Sequence, residues 1–275
     1  MASSFKGIFL KNIIVFITHK TLSEDHARCT FYSMSFQEVS DDKKFDILFL
    51  YNTHQEELSN EFLLNLFHEY NLSKYFTEVV ILNNPIKTKS LGEDIAHIRS
   101  FMINNLDSSD RVLLLKSDCV LSKNYFEEIL NLKEGQVYFV APFICAKSNV
   151  DNEEIMEYAK RDKFTTSDDI TFFVEDQNNS SNNDFNNRKE ISIYDKQIKF
   201  TSCYVIRDFS CHFLSVNLLG KINIQIQSWG GCNFSGLADC FVGTDKCFVI
   251  HKYHDIISEN RSSDREGPVS SWLKG

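Results

Sequence analysis

Four short apolar runs constrain this chain most: Asn12–Thr18, Asp46–Tyr51, Glu78–Leu82 and Arg111–Leu115, each stopping at polar residues. Continuous rather than alternating apolar residues mark strands buried on both faces. The segments between them have helical character. Glu24–Val39 suits a helix. Ser59 is an N-cap candidate ahead of Phe62, Leu63, Leu66 and Phe67 on one face, and Glu93–Asn104 carries a stripe of Ile95, Ile98 and Met102. Strand alternating with helix predicts an α/β fold: a mostly parallel sheet flanked by helices, with right-handed crossovers.

The fourth run says most about function. It stops on Lys116, Ser117 and Asp118, restarts briefly at Cys119–Leu121, and enters a helix after Asn124. A carboxylate at the carboxyl end of a buried strand lies where open α/β sheets bind ligands. Further on, Val137–Phe143 and Phe200–Ile206 read as strands and Phe213–Leu219 as a helix. Ser228–Cys232 reads as a turn leading into a short helix up to Val242. Cys247–Ile250 is the expected last strand, ended by His251. Residues 165–191 hold Asp168, Asp169, Glu175, Asp176 and an Asn/Ser-rich tract, which reads as a long mobile loop or insertion. A folded acceptor-binding lobe is the alternative, because Phe172, Phe173 and Val174 are apolar.

Composition narrows the class. A chain of 275 residues can bury one large core or two small ones. A formal charge of −9 and a pI near 5.4 argue against general affinity for nucleic acid. No stretch approaches ~18 consecutive apolar residues, so no membrane span is expected. The run after Lys6 and Lys11 reads as a first strand, not as the core of a signal peptide. Eight cysteines without a C-x-x-C pair favour reduced thiols in a soluble cytoplasmic protein over a zinc site.

The order of these features resembles glycosyltransferases of the GT-A fold, especially the family 2-like group, over roughly residues 10–265. The first strand ends in a small polar residue, Thr18, and the second ends at Asn52, where the family has an acid that reads the nucleotide base. The fourth carries Lys116-Ser117-Asp118 in place of the Asp-x-Asp motif. Thr201–Arg207, the Trp229-Gly230-Gly231-Cys232 turn, Gly243–Lys246 and the strand ending in His251 follow in the family's order.

The resemblance implies a single domain. Residues 1–125 form its nucleotide-sugar-binding half, 126–255 its acceptor half, and 256–275 a flexible tail. It implies transfer of a sugar from a nucleotide-diphosphate-sugar donor to a glycan or glycoprotein acceptor. A divalent metal, Mn²⁺ or Mg²⁺, would be held by Asp118 and His251, with His254 as a fallback ligand. Thr18, Asn52 and Asp118 would line the donor site. Arg261 and Arg265 in the tail would fold over its diphosphate. Apart from the resemblance, Lys87 and Lys89 near Gly92 form a basic loop that could also reach phosphate, the alternative being a solvated charge cluster. Trp229 would stack on an acceptor sugar, and Asp239 is the candidate general base, with Asp208 as an alternative.

Two departures bear on mechanism. Lys116 replaces the first Asp of the motif, and a lysine can partly replace a cation. Gly231 and Cys232 replace the Glu-Asp pair that holds the base of inverting enzymes. They keep open a catalytically inactive GT-A-like module that binds a sugar or a partner. A nucleotidyltransferase would want a glycine-rich loop after the first strand, and Thr18–Glu24 has no glycine.

Overall fold

The computed structural model describes residues 10–18, 23–52, 58–83, 91–132, 138–140, 143–146, 151–162, 173–174, 191–193, 196–198, 213–221, 223–224, 232–233, 241–243 and 246–252. The first half alternates as its sequence pattern requires: β1 (Asn12–Ile17), α1 (Glu24–Ser35), β2 (Phe45–Asn52), α2 (Asn60–Glu69), β3 (Phe76–Asn83), α3 (Leu91–Asn105) and β4 (Arg111–Lys116). These four strands lie side by side in the order β4-β1-β2-β3, all parallel. Ile13 to Ile17 and Val112 to Leu115 are essentially solvent-free, which is why both runs are apolar without interruption.

The helices cover this sheet through the residues their spacing selects. α1 buries Ala27, Phe31 and Met34, and the Phe31 ring meets Phe16 of β1 edge-on at 4.9 Å between centroids. Ser59 caps α2 by accepting from the Phe62 amide at 3.0 Å, and Leu63, Leu66 and Phe67 form its buried face. Phe62 is only partly buried and instead lies under the Arg28 guanidinium, 5.0 Å away. α1 stops at Ser35, short of the expected Val39. Gln37 then turns inward, donating to the Ser33 and Ser122 carbonyls and accepting from the Phe126 amide.

The remaining elements are β5 (Cys119–Leu121), α4 (Tyr125–Leu130), β6 (Tyr138–Val140), β7 (Phe143–Ala146), α5 (Asn152–Ala159), β8 (Phe173–Val174), β9 (Ile191–Ile193), β10 (Lys196–Ile198), β11 (Phe213–Ser215), α6 (Val216–Leu219), β12 (Asn223–Ile224), β13 (Cys232–Asn233), β14 (Phe241–Gly243) and β15 (Val249–His251). The main sheet has nine strands in the order β10-β9-β14-β6-β11-β4-β1-β2-β3. Only β11, which opposes β4 and β6, and the β9–β10 pair are antiparallel in it. A second sheet, β5-β15-β7-β8, is mixed, and β12 and β13 form a separate pair. The fold is therefore α/β with a mostly parallel sheet flanked by helices, as the sequence pattern predicts.

Three local expectations are corrected. Val137–Phe143 is divided between two sheets: β6 (Tyr138–Val140) lies in the main sheet and β7, which starts at Phe143, lies in the second. Phe213–Leu219 begins as a strand, because Phe213 pairs with both Leu113 and Phe139; Ser215 then caps α6. The helix expected to reach Val242 instead has β13 at its start and β14 at its end, with 234–240 outside the described residues. The Phe200–Ile206 expectation also lies outside them. Within 165–191, β8 pairs with β7 and β9 starts at Ile191.

One core fills both faces of the main sheet. A smaller one (Cys29, Val120, Ile155, Met156, Tyr158, Ala159, Phe248 and Ile250) packs the second sheet against α1 and α5. The chain crosses between the two sheets at Ser117 and Asp118. Among the described residues, no helix is long and apolar enough to cross a membrane.

Candidate functional site

Backbone pairing builds the site before any side chain does. Lys116 ends β4 in register with Ile17, and the Ser117 amide donates to the Ile17 carbonyl at 3.0 Å. Thr30 of α1 donates to the Ser117 carbonyl at 2.8 Å. The chain then leaves the main sheet and pairs β5 antiparallel to β15, Cys119 opposite His251. The Lys252 amide closes the turn by donating to the Asp118 carbonyl at 2.8 Å. Asp118 and His251 are thereby held on adjoining strand ends.

Their side chains meet. His251 Nε2 lies 2.9 Å from Asp118 Oδ2, and the Lys116 Nζ lies 3.9 Å from that same oxygen. A carboxylate only accepts, so Nε2 carries the proton in this contact. The Cys119 thiol donates to Asp118 Oδ1 at 3.3 Å. Lys116, Asp118 and His251 retain 7%, 2% and 8% of their surface. The Ser117 hydroxyl is buried and has no hydrogen-bond partner among the described residues.

Thr18 and Asn52 occupy the same carboxyl edge, on β1 and β2. Thr18 donates to Asn52 Oδ1 at 2.8 Å, and Asn52 Nδ2 donates to the Leu58 carbonyl and, at 3.1 Å, to Asn60 Oδ1. The Asn52 amide thus ties the ends of two strands to the entry of α2. Beside it, burial and then the charge of Asp94, itself fully buried on α3, raise the Tyr51 phenol well above its ordinary range.

Sequence reasoning missed the brace behind His251. The Lys252 ammonium contacts Asp25 Oδ2 and lies 3.6 Å from Cys29 Sγ, while Asn152 Nδ2 donates to both Asp25 oxygens at 3.1 Å. The Lys252 hydrogen bond is the main cause that holds the Asp25 carboxyl below its usual range, against the opposing effect of burial. Burial pushes the Cys29 thiol up. One lysine therefore locks the end of β15 to α1 and, through Asp25, to α5. A charged residue directly after a strand-ending histidine is the only signal the sequence carries of this.

The structure brings together Thr18 with Asn52, and Asp118 with His251 and Lys116. Trp229, Asp239, Arg261, Arg265, His254, Asp208, Lys87 and Lys89 lie outside the described residues.

The donor set can be weighed for a divalent cation. Asp118 and His251 offer two ligand atoms, and no group of three or more His, Cys, Asp or Glu occurs among the described residues. A cation bonded to Asp118 Oδ2 at ~2.1 Å would lie no more than about 6 Å from the Lys116 ammonium. At an effective dielectric near ~20 that is a repulsion of about 5 kcal/mol or more. It would also need the Nε2 that now donates. With the Lys116 ammonium 3.9 Å from Asp118 Oδ2, the described residues fit a divalent cation poorly.

No protein-family model and no curated protein sequence matches this chain. Its fold is shared with solved structures. It is similar to S. aureus TarS residues 1–349 in complex with UDP-GlcNAc, at 10% identity and a TM-score of 0.50, over 92% of this chain and 62% of that one. It is also similar to GalNAc-T7 with UDP, GalNAc and Mn²⁺, at 11% identity and a TM-score of 0.50, over 90% of this chain and 45% of that one. The chain thus spans less than two thirds of either. At such identity the likeness is one of fold, and that fold is the GT-A-like α/β fold of glycosyltransferases.

Proposed function

We propose that this chain is a glycosyltransferase that moves a sugar from a nucleoside-diphosphate donor to a glycan or protein acceptor. One observation carries the reading: the carboxyl edge of a GT-A-like sheet gathers Lys116, Asp118 and His251 within 4 Å of one carboxylate oxygen. Open α/β sheets bind ligands at that edge. The bound UDP and UDP-GlcNAc of the two similar structures support the donor class.

In this reading the donor lies across the ends of β1, β2 and β4. Thr18 and Asn52 set the floor of its nucleoside end, and the Asp118 turn faces its diphosphate. Departure of the diphosphate concentrates negative charge, and fixed positive groups there stabilise the transition state more than the ground state. Arg261 and Arg265 close over the donor, Trp229 stacks on the acceptor, and Asp239 takes the acceptor proton. The Mn²⁺ of the GalNAc-T7 structure parallels the metal that the resemblance expects at Asp118 and His251.

A second reading, a silent module that binds a donor without turnover, draws on the internal contacts that already engage both Asp118 oxygens. Thermal-shift titration with UDP-, GDP- and ADP-sugars, with and without Mn²⁺, tests binding. Release of free nucleoside diphosphate tests turnover. A specific shift with release is the expected result. A shift without release, across all acceptors tried, selects the module. No shift with any nucleotide sugar overturns both.

A further inference from the structure

We infer that Lys252 is a positioning residue of the donor site: its amide holds the Asp118 turn, and its ammonium anchors that turn to α1. The inference rests on the donor reading above and deepens it, since Lys252 acts on the donor through Asp118.

α1 grips two successive carbonyls of the turn. Thr30 donates to the Ser117 carbonyl at 2.8 Å. The Asp118 carbonyl accepts from the Lys252 amide, also at 2.8 Å, and the Lys252 side chain runs back to the same helix. There its ammonium contacts Asp25 Oδ2 and lies 3.6 Å from Cys29 Sγ. Asp25 and Cys29 stand at i and i+4, so they share one face of α1. Asn152, the first residue of α5, donates to both Asp25 oxygens at 3.1 Å and steadies the carboxylate from the other side.

A free lysine side chain samples many rotamers and fixes nothing behind it. Lys252 keeps only 8% of its surface and is engaged at both ends, so the end of β15 and the Asp118 turn are carried on α1. That helix is itself seated on β1, Phe31 against Phe16. The ends of β1, β4 and β15 thus share one reference frame, which a recognition site needs if its groups are to hold to within about 0.5 Å. Charge does the anchoring. An unbranched apolar side chain of similar length could still pack on Cys29, but it could not engage the Asp25 carboxylate. The amide remains whatever the side chain, so Lys252→Met removes the anchor alone.

The test is calorimetric titration of the full chain with UDP, GDP and ADP, in Mn²⁺ and in EDTA, with urea unfolding of each variant alongside. The nucleotide that wild type binds most tightly is the probe. Under conditions where every variant is folded, Lys252→Met weakens it by about fivefold or more, short of the ~100-fold that a 1 Å misplacement can cost. Asp25→Asn weakens it in the same direction. The double variant is no weaker than Lys252→Met, because both changes break one contact. Lys252→Arg keeps the charge beside a carboxylate that is more than half exposed, and it retains affinity within about threefold. If Lys252→Met does not fold, Asp25→Asn and Asn152→Ala, which act on the anchor from its exposed side, decide in its place. A purely structural lysine lowers the urea midpoint of Lys252→Met and leaves the affinity of the folded protein intact. That result, or losses that add in the double variant, overturns the inference and leaves the donor reading standing. No nucleotide binding by wild type in either buffer overturns both.

Discussion

Asp118 and His251 touch at 2.9 Å because Cys119 and His251 face each other across β5 and β15. Either side chain alone is an unremarkable strand-end residue; the antiparallel register makes them a pair. Lys116 is buried beside the pair, its Nζ 3.9 Å from Asp118 Oδ2. Asp118→Ala therefore leaves an ammonium in a nearly dry site, and the cost is about 3–5 kcal/mol. The double change Lys116→Met with Asp118→Leu, which removes both charges, costs far less than the two single losses combined. Urea unfolding of the four proteins in a double-mutant cycle checks this.

Asn52 offers a sharper test, since the resemblance places an acid there. Its Nδ2 donates to two oxygens, the Leu58 carbonyl and Asn60 Oδ1. Asn52→Asp replaces that donor with an acceptor facing two acceptors. It destabilises the protein by about 2–3 kcal/mol or more, at least as much as Asn52→Ala. Equal or higher stability of the Asp variant in urea unfolding would show that the amide is not the tie between β2 and α2.

The legible part of the fold and site is the part with long or simple signals. β1, β2 and β4 are buried on both faces, so their apolar runs stand out, and Thr18, Asn52 and Asp118 follow directly as the residues at their ends. Strand-end position also marked His251. The illegible parts depend on pairing between distant short segments. β11 is three residues long and shows no period; it is a strand only because Leu113 and Phe139 flank Phe213. Gln37 and Lys252 read as ordinary polar surface residues, yet one ties α1 to α4 and the other ties β15 to α1. Nothing local in sequence records a side chain whose partners come from elsewhere in the chain.

Gln37 is the structural counterpart of that point. Its buried amide satisfies the Ser33 and Ser122 carbonyls and the Phe126 amide. Gln37→Leu keeps an apolar fit but removes the acceptor of the buried Phe126 amide and one donor from each of the Ser33 and Ser122 carbonyls, the latter still accepting from the Tyr125 amide, and it lowers stability by about 1–3 kcal/mol. Hydrogen exchange at the Phe126 amide should rise in this variant well beyond the exchange of β1 amides. Uniform acceleration across both would mean that the loss is global and that Gln37 has no local role at α4.

The Lys252–Asp25 contact gives a pH signature with a fixed sign. The folded state holds the Asp25 carboxyl below its ordinary value of 3.8, chiefly through the Lys252 hydrogen bond. A group depressed on folding contributes stability that is complete above its unfolded pKa and is lost as pH falls through its folded one. Asp25→Asn therefore destabilises the protein at neutral pH, and its deficit relative to wild type shrinks as pH drops below 3.8. Because Asp25 is more than half exposed, solvent keeps the effect small. The same variant loosens the end of β15, so it should also weaken nucleoside diphosphate binding at pH 7, although Asp25 touches neither Asp118 nor Lys116. Urea unfolding from pH 7 down to pH 3 checks the first part, and UDP titration at pH 7 checks the second. A deficit that stays constant with pH would show that Asp25 contributes through packing and not through its charge.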